Sequence, residues 1–107
     1  MSASYETTIY CNQPEEILKE IIEDAVSQYL SLNPNAFVIR NNERSIVLKI
    51  PISIKSWGER LKLSIEEESF HITSESILSS TLVAFGKNRN NVRAMSACLE
   101  NAIQELS

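Results

Sequence analysis

The sequence predicts an α+β fold: an antiparallel sheet of about five strands with two helices packed on one face, in the order strand, helix, four strands, helix. Three observations carry this expectation. Apolar residues recur at three- and four-residue spacing in two segments, Asn12 to Leu30 and Asn91 to Leu106. Between them, from Ala36 onward, the apolar period falls to two. The 107 residues are 43% hydrophobic and 22% charged, which is ordinary globular usage and fits a single domain over residues 1–107. A chain of this length buries roughly two-thirds of its extended surface and needs neither metal nor disulfide to fold.

Each element has a local reason. Tyr5 to Cys11 is rich in Tyr, Thr and Ile and reads as a short strand. Asn12-Gln13-Pro14-Glu15 reads as a helix start, with Asn12 as N-cap and Glu15 closing a capping box. Ile17, Leu18, Ile21, Ile22, Ala25, Val26, Tyr29 and Leu30 then form one apolar stripe, which should end near Leu32, before Asn33-Pro34-Asn35. Ala36 to Arg40 is a strand and Asn41 to Arg44 a turn. Ser45 to Lys55 is a longer strand with Ile46, Leu48, Ile50, Ile52 and Ile54 on one side. Pro51 cannot donate a ladder bond, so this strand is expected at an edge or bulged. Strands with Leu61, Leu63 and Ile65, then Phe70 and Ile72, facing inward complete a meander with one wet face. Residues 77 to 85 fit either an extended connection or an edge strand. Val92, Met95, Leu99, Ala102, Ile103 and Leu106 show the second helical period, with Lys87 to Asn91 ahead of it as candidate caps.

Ten Lys and Arg against fourteen Asp and Glu give a net charge of −4, which disfavours nucleic acid as a partner. The charge is uneven. Residues 1 to 39 hold six acids and one base, whereas residues 40 to 93 hold nine bases and six acids. An acidic first helix beside a mildly basic remainder is therefore expected. Cys11 and Cys98 form no CxxC pair and are read as free thiols of a reducing compartment. The N-terminal residues lack a basic n-region and an apolar h-region, and no apolar run is long enough for a span, so a cytoplasmic location without membrane contact is expected.

Two stretches, Ser56-Trp57-Gly58-Glu59 and Ile72-Thr73-Ser74-Glu75-Ser76 followed by Gly86-Lys87-Asn88 and Asn91-Val92, resemble a group of small uncharacterised bacterial helix-over-sheet domains. In that group an S-x-S strand precedes a D-x-G-x-N or D-W-G-K-N turn that opens the final helix. Ala84 and Phe85 stand here in the places of Asp and Trp. The resemblance implies a helix-over-sheet fold similar to a reduced helix-grip domain, and no reaction.

No catalytic, metal-ligating or cofactor-binding constellation is read from the sequence. His71 is the only histidine and falls on the wet side of its strand, and two glycines cannot build a phosphate loop. Lys87, Arg89 and Arg93 stand out instead. Cations at the opening of a helix oppose its dipole, and an anion, internal or external, would relieve them. Gly86 is expected to take a positive φ in the turn before that helix. The wet sheet face offers Lys49, Lys55, Arg60, Lys62, His71 and Thr73 as a second, basic surface. Trp57, the sole tryptophan, sits in a turn where it covers the core or anchors a partner. The function expected is a non-catalytic binding or protein-interaction module, with a protein partner or a homodimer formed through a sheet edge. The alternative is a small-molecule or anion site between the sheet and the last helix.

Overall fold

A computed structural model describes residues 4–51, 58–77 and 82–106, apart from the side chains of residues 82–85. The elements run β1 (Ser4–Tyr10), α1 (Glu15–Leu32), β2 (Phe37–Asn41), β3 (Ser45–Ile50), β4 (Glu59–Glu66), β5 (Ser69–Ser76) and α2 (Leu82–Glu105). The five strands make one antiparallel sheet in the order β1-β5-β4-β3-β2. The expected α+β architecture is thus what the chain adopts. Neither helix is long and apolar enough to cross a membrane.

Register explains which side is wet. Leu48 faces Leu61 and Leu61 faces Ser74, while Ile46, Leu63 and Ile72 form the next row. Because side chains alternate across a strand, both rows point to the helices. Leu48, Leu61, Leu63, Phe70 and Ile72 have no exposed surface, and Leu18, Ile21 and Ile22 of α1 with Met95 and Leu99 of α2 close over them. Each such side chain contributes about 1.5–3 kcal/mol when removed from water. The intervening rows, Lys49–Arg60–Glu75 and Val47–Lys62–Thr73, face away from the helices.

Several boundaries differ from the sequence reading. The first helix opens at Glu15, with Pro14 as an extended N-cap and no side-chain cap, so the Asn12 capping box is not made. The reason is steric: a residue before proline is kept out of helical geometry, so Gln13 cannot belong to the helix. The carbonyl of Pro14 accepts from the amides of Ile17 and Leu18 instead. Glu15 reaches Arg44 of the β2–β3 turn at 2.7 Å. β3 ends at Ile50 and lies inside the sheet, not at an edge, because Pro51 falls just past its last ladder residue. The edges are β1 and β2, and the bulge is in β2, between Val38 and Arg40. Ile52 and Ile54 lie outside the described residues.

The largest difference is at the last helix. It begins at Leu82, nine residues before the expected Asn91, and takes up part of the segment that the sequence left open. Gly86 is therefore helical, and the glycine with a positive φ is Gly58, at 101°. Helices α1 and α2 lie side by side. Asn101 donates to Gln28 at 2.8 Å, and the neighbouring Asp24 carboxylate pushes the Glu105 carboxyl above its ordinary pKa through a shared hydrogen bond. Cys11 and Cys98 are both free and buried, and burial raises both thiol pKa values.

Candidate functional site

Among the described residues, two places concentrate polar chemistry. The first lies beneath α2. Period-two alternation in β4 and β5 carries the inward side past Leu61 and Ile72 onto polar residues, namely Glu59, Ser74 and Ser76. On α2 the apolar stripe of Met95 and Val92 likewise continues onto Asn91 and Asn88. These five side chains meet. The hydroxyl of Ser74 donates to Asn88 Oδ1 at 2.8 Å, and Asn88 Nδ2 donates to Ser76 Oγ at 2.8 Å. Asn91 Nδ2 donates to Glu59 Oε1 at 2.9 Å and to Ser74 Oγ at 3.2 Å. Glu59, Ser74 and Asn88 are each 0% exposed.

A buried carboxylate is costly unless it is hydrogen-bonded, and Glu59 has its donor. Its charge also acts on a neighbour: burial first, then Glu59, then Cys98, push the phenol of Tyr29 on α1 up to about 12. The cluster is buried, and four hydrogen bonds join its five side chains. It therefore works as a clamp that fixes the rotation of α2 over β4 and β5, and at this end hydrogen-bonded side chains occupy the space between sheet and last helix. The residues of the S-x-S, G-E and G-K-N stretches are the ones that converge here.

Lys87, Arg89 and Arg93 are not at a helix opening. They lie between the second and fourth turns of α2, so the dipole argument for an anion beside them has no geometric basis. The side chain of Arg89 is half-buried, with Nε enclosed and without a hydrogen-bond partner. Trp57 and Lys55 lie outside the described residues.

The second place is the outer face of the sheet. Ile39, Arg40, Val47, Arg60, Lys62, Thr73 and Glu75 line a groove of about 590 Å³. The β2 bulge helps to build it. Two residues of the bulged strand stand against one on β3, and both Ile39 and Arg40 line the groove. Ile39 and Val47 supply an apolar floor, Arg40, Arg60 and Lys62 supply charge, and Lys49 stands directly opposite Arg60 on the neighbouring strand. Like charges directly opposite each other on a sheet are destabilising, and Glu75 on the far side of Arg60 offsets one of them. His71 occupies the same face nearer β1. Its Nδ1 lies 3.2 Å from the hydroxyl of Thr8 and its Nε2 3.6 Å from Glu6.

No protein-family model and no curated protein matches the chain. A solved structure does. The Zhui aromatase/cyclase from Streptomyces sp. R1128 superposes with a TM-score of 0.53 over 100% of this chain and 97% of that chain, at 12% sequence identity. At that identity the likeness shows the fold alone, a helix-grip-like sheet with a long C-terminal helix.

The sequence reading named Lys49, Arg60, Lys62, His71 and Thr73 for the outer face and turned Val47 to the same side, but it missed Arg40 and Ile39. The bulge that brings the β2 residues in leaves no mark in the apolar pattern. It also missed the buried cluster. The available signal was register: Glu59, Ser74, Ser76, Asn88 and Asn91 all fall at core-facing positions of otherwise apolar stripes.

Proposed function

We propose that this domain is a non-catalytic protein-interaction module whose working surface is the outer face of the sheet, and that it takes an acidic, extended or helical segment of a partner. The observation that carries this reading is the groove itself, where Arg40, Arg60 and Lys62 surround an apolar floor of Ile39 and Val47. Such a surface suits carboxylates presented beside aliphatic side chains. The β2 edge beside it exposes Phe37, Val38 and Ile39. Because a bulge blunts an edge against strand addition, the face is favoured over the edge for docking. The net charge of −4 and the presence of Glu75 in the groove wall weigh against polyphosphate and nucleic acid. Two buried free thiols support a reducing, cytoplasmic compartment.

A peptide alternating glutamate with valine, titrated into the labelled protein and followed by amide chemical shifts, tests the reading. Shifts are expected at Arg40, Val47, Arg60, Lys62 and Thr73. They should fade as salt rises from about 0.02 to about 0.5 M, where screening shortens to a few Å. Arg60→Gln with Lys62→Gln should remove them. Shifts that survive this double substitution, or an equal response to a single-stranded oligonucleotide, would overturn the assignment of the face to acidic protein segments.

A further inference from the structure

The two charged regions of the chain face in opposite directions. Helix α1 buries Leu18, Ile21, Ile22, Ala25, Val26 and Tyr29 against the inner side of the sheet. Its opposite side presents Glu16, Glu20 and Glu23, all exposed, followed in line by Ser27 and Ser31. Spacings of four, three, four and four residues keep these five side chains on one stripe, which Lys19, three residues after Glu16 and four before Glu23, flanks on one side. Arg40, Lys49, Arg60 and Lys62 lie on the other side of the sheet, beyond the hydrophobic core. The molecule therefore carries an acidic ridge and a basic groove that cannot reach each other within one copy.

The two features match in size. Along α1, Glu16 to Glu23 covers about 10.5 Å at about 1.5 Å per residue. Arg40 pairs with Val47 and Val47 with Lys62, so the two cations stand two strand spacings apart, about 9.5 Å. A helix laid across the strands brings Glu16 and Glu23 over Arg40 and Lys62, with Glu20 between them above Val47. The serines at positions 27 and 31 have short side chains that let the rest of the helix approach closely.

Resting on the reading of the sheet face given above, we infer that the acidic segment the groove accepts is α1 of a second copy of this chain, so that copies join head to tail. The contact is heterologous: each copy offers a ridge to one neighbour and a groove to another, so copies add head to tail into an open chain or a ring. Its strength falls with salt because both surfaces are solvent-exposed.

Two neutralised variants test this. One carries Glu16→Gln, Glu20→Gln and Glu23→Gln, and the other Arg40→Gln, Arg60→Gln and Lys62→Gln. All six positions are exposed, and circular dichroism checks that both variants fold like the wild type. Both remain net negative, so mixing them creates no general attraction. In sedimentation at low salt the wild type is expected to form species that grow with concentration. Each variant alone should stay at the 12.1 kDa of a single copy. An equimolar mixture should stop at a one-to-one dimer, because one intact ridge meets one intact groove and no further site remains. A wild type that stays monomeric at millimolar concentration, or a mixture that gives no dimer, overturns the head-to-tail contact. The glutamate–valine peptide is titrated into the same wild-type sample. If it binds while the protein stays monomeric, only the second copy is ruled out as partner; if it also fails, the reading of the face falls with it.

Discussion

Gly86 is a residue whose role changed between sequence and structure. Followed by Lys87 and Asn88, it looks like a turn glycine, and glycine is the default wherever φ must be positive. The structure places it inside α2, where a Cβ would meet nothing within 4 Å. Neither backbone conformation nor space thus requires glycine there, and a helical glycine costs roughly 0.5–1 kcal/mol relative to alanine. Gly86→Ala should accordingly raise unfolding stability by about that amount, measured as a higher urea midpoint at unchanged slope. A loss of stability would mean that the chain needs glycine at this turn of the helix. Gly58 behaves in the opposite way. Its φ of 101° is strained for any side chain, and its carbonyl accepts the amide of Ile77, tying the start of β4 to the end of β5.

At the scale of elements, the strands were legible because alternation forces one face to be apolar. Ile46, Leu48 and Ile50, Leu61, Leu63 and Ile65, and Phe70 and Ile72 are all buried as the period-two pattern implies. The start of α2 was not legible, because core-facing positions 88 and 91 hold asparagines and an apolar count stops at Val92. Those asparagines extend the helix packing through hydrogen bonds in place of apolar contact, which is why a polar cluster belongs to the element and not to a loop. Asn88 should then be coupled to the strand it holds. Asn88→Ala removes the acceptor of the Ser74 hydroxyl and the donor to Ser76, and should cost about 2–3 kcal/mol. Combining it with Ser74→Ala should cost less than the two single losses together, by about 1 kcal/mol in a double-mutant cycle. Strict additivity in urea unfolding would show that the two side chains do not act as a pair.

For the whole molecule, the placement of β1 beside β5 joins the first strand to the last and leaves β2 at the opposite edge. Nothing in the local pattern specifies that neighbour, since any strand with one apolar side could take the position. The same long-range assembly creates the setting of Tyr29. Helix α1 supplies the phenol, β4 the Glu59 charge and α2 the Cys98 thiol, and together with burial they push the phenol up to about 12 from an ordinary value of 10.0. In the unfolded chain the phenol ionises near its ordinary value. Between these two values the unfolded state holds fewer protons than the folded one, so stability falls as pH rises. The contribution is full below pH about 10 and is lost progressively up to about 12. A comparison with Tyr29→Phe isolates the effect of this one group. The stability of the wild type should drop more steeply than that of Tyr29→Phe over this window, the two curves running parallel below pH about 9, where both forms of Tyr29 are neutral. Parallel curves throughout the alkaline range would mean that the phenol is not held between the three elements as the structure places it.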